Sequence, residues 1–329
     1  MSTDAQLAQE NVMRALERNS TAGERVLIAA DTGTDLEIRD LLESAAAEHG
    51  LQVEVVAPAP ADMPNAEPAP ETADALERCD LVMLVTSVPI SHTRAVRRAV
   101  EHGARIMAMD GITIDMLATG GGAADYAAMH ELALVLEELW NEAAHVRVTS
   151  GLGMHFEADV TGRKSWRWDG YTFSADWYDL TGCALPDGEV GIAPLEGSAN
   201  GTVIWDTSAH SLGLLREPVE LIVEDGWVVD VKGGEQAREF ADRLASLDDP
   251  ASYYCPAEIA IGINEAARIT GSMREDKKAL GTVHIATGTN GDIGGTIEAR
   301  THIDGVIRRP SLWMDGRPII EDGQLLVTA

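Results

Sequence analysis

The first 145 residues alternate short, wholly apolar runs with stretches whose apolar positions recur at helical spacing, and few folds accommodate that alternation. After an amphipathic helix over about residues 4–19, Arg25-Val-Leu-Ile-Ala-Ala-Asp31 reads as a buried parallel strand that ends in a turn. A helical pattern over 35–49 stops at Gly50, and Gln52-Val-Glu-Val-Val56 follows as a second strand. The prolines between residues 57 and 70 break any helix or central strand and place a surface loop there. The alternation then resumes with the run at 81–86, a helix over 92–102 and a strand over 104–108. A run of βα units of this kind packs as an open, doubly wound, mostly parallel sheet, so residues 1–145 are expected to form an α/β domain. The glycines of Asp31-Thr-Gly-Thr and Gly120-Gly-Gly122 lack the spacing and position of a dinucleotide fingerprint.

From about residue 146 the texture changes. Asp-Gly pairs at 169–170, 187–188, 225–226, 304–305 and 315–316 punctuate short alternating segments, as in hairpins, with helical patches over 234–247 and 264–270. Residues 146–329 are therefore expected to form a second, α+β domain. No apolar run approaches the roughly 18 residues of a membrane helix, and the polar start lacks the pattern of a secretory signal, so a cytoplasmic protein is expected. Cys79, Cys183 and Cys255 are odd in number and widely spaced, as ordinary reduced thiols are. A formal charge of −29 repels a phosphate backbone and argues against nucleic acid as a partner. Only four lysines stand among the 25 basic residues, a skew that a salt-adapted or a GC-rich source would leave.

Chemistry concentrates near the C-terminus. In Thr301-His302-Ile303-Asp304-Gly305 the period-2 geometry of a strand puts an imidazole and a carboxylate side by side on one face. His284, in the strand-like Gly281-Thr-Val-His-Ile-Ala, supplies a third donor, and two histidines with one carboxylate bind Fe(II), Zn or Mn with open positions. Glu258, at the head of the apolar run Ile259-Ala-Ile-Gly-Ile263, is costly to bury unless paired or metal-bound. Glu189 and Glu196 flank another strand and offer a further ligand and a general base. His92 follows the third strand at the edge where open α/β sheets bind ligands, as a candidate acid/base. Arg163, Arg167 and Trp168 suit either an anionic or aromatic substrate or a plain hairpin surface, and Lys277 and Lys278 read as an exposed turn.

Taken in order, Leu185-Pro-Asp-Gly-Glu-Val190, Ala193-Pro194, Asn200-Gly-Thr-Val203, Ala257-Glu-Ile-Ala-Ile-Gly-Ile-Asn264, the His284 segment and Thr301-His-Ile-Asp304 resemble the motifs of one superfamily. It joins thermophilic leucyl aminopeptidases to 2,5-dihydroxypyridine 5,6-dioxygenase. The resemblance covers nearly all of the second domain and, in the first, only Ser91-His-Thr-Arg94. The aminopeptidase pattern implies a two-metal site on Glu189, Glu258, His284, His302 and Asp304, with Zn, Co or Mn as the metal. That branch carries a tyrosine in the turn after the first metal histidine, and the stretch after His284 has none. The more compact dioxygenase pattern implies a single Fe(II) on His284, His302 and Asp304, His92 as acid/base, a small hydroxylated heterocycle as substrate and a homo-oligomer.

Overall fold

A computed structural model of the chain describes residues 2–63, 65–91, 93–172 and 182–329. The chain divides into two compact units, Met1–Tyr126 with Trp168–Asp187 and Ala127–Arg167 with Gly188–Ala329. The division is therefore not the single cut at 145/146 that the change of texture suggests. Its physical cause is the short strand Gly182–Ala184, which returns to pair in parallel with Arg105–Ala108 and completes the first sheet.

That sheet contains β1 (Arg25–Ala29), β2 (Gln52–Val56), β3 (Leu81–Leu84), β4 (Arg105–Ala108) and β5 (Gly182–Ala184) in the order β2-β1-β3-β4-β5, with every pair parallel. Buried strand residues Leu27, Val82, Leu84 and Ile106 pack with Leu76, Ala95, Val96 and Ala99 of the helices Pro70–Leu76 and Arg94–Glu101. Order reverses between β1 and β3, where Asp31 ties the two outgoing loops together. Its carboxylate accepts from the Gly33 amide (2.8 Å), the Ser87 amide (2.8 Å) and the Ser87 hydroxyl (3.0 Å).

The second unit holds two antiparallel assemblies. One is an eight-stranded sheet built from hairpins. Two of its turns use Asp225-Gly226 (φ 48° and 81°) and Asp315-Gly316 (φ 49° and 80°), the paired left-handed conformations that two-residue hairpins require. The other is a seven-stranded sheet whose centre consists of β6 (Glu189–Ile192), β7 (Ile259–Gly262), β8 (Val283–Gly288) and β9 (His302–Ile307), adjacent in the order β6-β7-β8-β9.

Two expectations fail here. Asp304-Gly305 is not a turn but lies within β9, where a Cβ on Gly305 would stand 1.9 Å from the Trp205 ring. Residues 264–270 are not helical: the Asn264 side chain accepts from the Ala266 (2.9 Å) and Ala267 (3.0 Å) amides, and the chain makes a local turn that does not continue as a helix. Among the described residues no helix is long and apolar enough to cross a membrane.

Candidate metal centre

Strand register brings the candidate residues onto one face. Ile192, Ile259, Ile285 and Gly305 form one row across β6-β7-β8-β9, and the Cβ direction of Gly305 faces Trp205, so this row belongs to the core side. Side chains alternate along a strand, so the opposite face carries Glu189, Glu258, His284, His302 and Asp304. Among them that face bears the small residues Gly191, Ala260, Gly262 and Ala286, which leave room for long polar side chains to converge. Glu258, His284 and Asp304 are almost wholly buried.

Glu258, His302 and Asp304 each present a donor atom within 4.8 Å of the other two, a metal-sized cluster. His302 Nδ1 lies 2.8 Å from the Thr289 carbonyl, so it carries the proton and donates. Nε2 then turns its lone pair toward Asp304 Oδ1 at 3.0 Å and Glu258 Oε2 at 3.6 Å. An imidazole lone pair facing two carboxylates is repulsive unless a cation lies among them, either a second ring proton or a metal ion. Burial opposes the charged ring, but Glu258 and Asp304 outweigh it and hold His302 well above the ordinary histidine value. Asp304, which burial would raise, is held far below the usual carboxylate range by Lys277 and His302. One imidazole and two carboxylates, with the far imidazole nitrogen anchored to a carbonyl, fit a first-row divalent ion.

His284 stands behind this cluster. Its Nε2 is 2.9 Å from Glu258 Oε1 and 3.5 Å from Glu189 Oε2, so it orients Glu258, while its Nδ1 is buried without a hydrogen bond among the described residues. The geometry thus groups one histidine with two carboxylates, where the sequence pattern pointed to two histidines with one.

Lys277 and Lys278 correct the expectation of an exposed turn. Lys278 is 1% exposed and its Nζ donates to Glu189 Oε1 at 2.9 Å. Lys277 Nζ lies 3.1 Å from Asp304 Oδ2 and 3.5 Å from Glu189 Oε2. Burial would raise the Glu189 carboxyl, but Lys277, Lys278 and His284 outweigh it and hold it down at about 2. Burial likewise disfavours the Lys277 charge, and Asp304, Glu189 and Glu258 reverse that and keep it protonated. The turn reaches the site because Gly262 has no side chain, since a Cβ there would stand 2.3 Å from the Ala279 carbonyl and 2.8 Å from that of Lys277. His210, next to the short strand Ser208–Ala209, was also missed, and its Nδ1 is 3.4 Å from Asp304 Oδ2.

A family model for NicX, 2,5-dihydroxypyridine 5,6-dioxygenase, matches residues 8–327. The chain belongs to this family. A curated relative from Pseudomonas putida named 2,5-dihydroxypyridine 5,6-dioxygenase is 24% identical over 205 residues, which make up 59% of this chain and 57% of the relative. The aligned region thus spans little more than half of that protein. The solved structure of 2,5-dihydroxypyridine dioxygenase from Pseudomonas putida KT2440 superposes with a TM-score of 0.85 at 21% identity, over 99% of both chains. AmpT from Thermus thermophilus superposes with a TM-score of 0.69 at 16% identity, over 98% of this chain and 99% of that one. At these identities both likenesses are likenesses of fold, and they bear out the α/β architecture.

The remaining nominated residues of this NicX-family chain are engaged elsewhere. Glu196 pairs with Arg163 and accepts from the Thr296 amide at 2.8 Å, and among the described residues no contact joins it to the donor cluster. Arg167 pairs with Glu137. His92 lies outside the described residues.

Proposed function

We propose that this chain is a metal-dependent, ring-opening dioxygenase acting on a hydroxylated pyridine-like heterocycle, with Fe(II) as its metal. The observation that carries the metal requirement is the arrangement at His302, whose Nε2 faces two buried carboxylates while its Nδ1 donates to the Thr289 carbonyl, so that a cation, a second ring proton or a metal ion, is called for among them. Membership of the NicX family directs the chemistry toward ring opening.

Glu258, His302 and Asp304 would hold the ion. When bound, it supplies Lewis-acid polarisation of a ring hydroxyl and a place for dioxygen beside it. The residues of the chain prepare the rest. His284 fixes the carboxylate plane of Glu258, and the Thr289 carbonyl fixes the tautomer of His302. His210 offers a hydrogen-bonding imidazole next to Asp304. His92 is the candidate base for the ring hydroxyl proton, with its general acid/base role resting on its place after β3.

The test is anaerobic loading with Fe(II), then oxygen uptake on addition of 2,5-dihydroxypyridine and related hydroxypyridines. Uptake with loss of the aromatic absorbance is expected. Stoichiometrically loaded protein that consumes no oxygen with any of them would remove this function.

A further inference from the structure

Five charged side chains share the polar face of the sheet around the cluster, the carboxylates of Glu189, Glu258 and Asp304 and the ammonium groups of Lys277 and Lys278. The donor triad uses only one oxygen of Asp304 toward His302, Oδ1. The other, Oδ2, and Glu189 Oε2 are both buried, and neither has a hydrogen bond among the described residues. Both of these oxygens face Lys277 Nζ, at 3.1 and 3.5 Å. His284 Nε2 is a further 3.5 Å neighbour of Glu189 Oε2. Two carboxylate oxygens converging on one point are donors that a divalent ion takes. At that point stands an ammonium group.

We propose that Lys277 occupies the position of a second metal ion, so that this site accepts one divalent cation and excludes another. The inference rests on the reading that Glu258, His302 and Asp304 hold a metal.

Charge supports it. With neutral imidazoles, three carboxylates and two ammonium groups leave one negative charge, and a single divalent ion brings the buried site to one positive charge. A second would bring an excess of three, and unneutralised charge is costly where water is excluded. Lys277 cannot easily withdraw, because its backbone turn is held against Gly262 and its neighbour Lys278 is anchored on Glu189 Oε1. Glu189 is then a counter-ion for the lysines, although its strand position alone suits a ligand. Lys277 thereby sets the number of metals and is a positioning residue.

The experiment counts ions. Full-length protein is stripped with chelator, dialysed anaerobically against excess Mn(II), then passed over a desalting column and assayed for metal per chain. Wild type and Lys277→Arg are expected to hold one ion, and Lys277→Met two. Glu189→Gln, nearly the same size, is expected to keep one and so covers the case in which Lys277→Met does not fold. Two ions in wild type, a single ion in folded Lys277→Met, or loss of the ion in Glu189→Gln would overturn the proposal. No ion in any of the proteins would instead remove the metal reading beneath it. The Fe(II) oxygen-uptake assay remains a separate measurement, so failure of ring opening and failure of the Lys277 assignment are told apart.

Discussion

At the scale of single residues, the site depends on which groups carry protons and which carry charge. His302 is committed by its bond to Thr289, and Glu258 by its bond to His284. The second of these is the more informative, because His284 was read from the sequence as a ligand, and its Nε2 lies 2.9 Å from Glu258 Oε1, outside the cluster of three donors. Removing the imidazole while keeping a hydrogen-bonding amide, as in His284→Gln, is expected to weaken metal retention by roughly 10–100-fold, the usual effect of losing a group that orients a ligand. Competition against a graded series of chelators measures this. Complete loss of the ion at every metal concentration would make His284 a ligand after all. His302 and Asp304 were legible from alternation alone, since one intervening apolar residue puts both on one face. Lys277, Lys278 and His210 were not, because nothing local distinguishes an acid-flanked lysine pair or a lone histidine from a solvated turn. One signal was available. Two of the chain's only four lysines are adjacent, in a protein that otherwise uses arginine for its cations.

At the scale of elements, the βα alternation read from periodicity matches strands and helices to within a residue or two, because buried parallel strands read as near-continuous apolar runs. The misreadings came where one short polar motif serves two purposes. Asp-Gly turns the chain at 225–226 and 315–316, yet at 304–305 the same pair continues β9. There the glycine is required by the tertiary structure, since the Trp205 ring fills the space of its missing side chain and Trp205 Nε1 donates to the Ile285 carbonyl at 3.1 Å. Gly305→Ala is therefore expected to destabilise the chain by about 1–3 kcal/mol or more, the cost of overpacking a filled core. Because Gly305 adjoins Asp304, metal retention should fall with it. Urea unfolding of metal-free protein measures the first effect, and an unchanged midpoint would show that the Trp205 contact is not tight.

At the scale of the whole molecule, a strongly acidic chain gathers two of its few lysines onto one sheet face that also carries three carboxylates. The family was legible in the order of its motifs. The composition of the site was not, because strands adjacent in the sheet are distant in sequence and their register decides which donors meet. β6 and β9 are separated by more than a hundred residues, and the Gly262–Glu189 and Ala286–Asp304 pairings bring their acids to the same face. The central claim is that Glu258, His302 and Asp304 together create the demand for a cation. Anaerobic calorimetric titration of metal-free protein with Fe(II), wild type beside His302→Ala, tests it most directly. The account expects saturable binding in wild type and at least about a hundredfold weaker binding in the variant, taking a lost ligand to cost no less than the strongest effect of a lost orienting group. Equal affinity in the two proteins would contradict it.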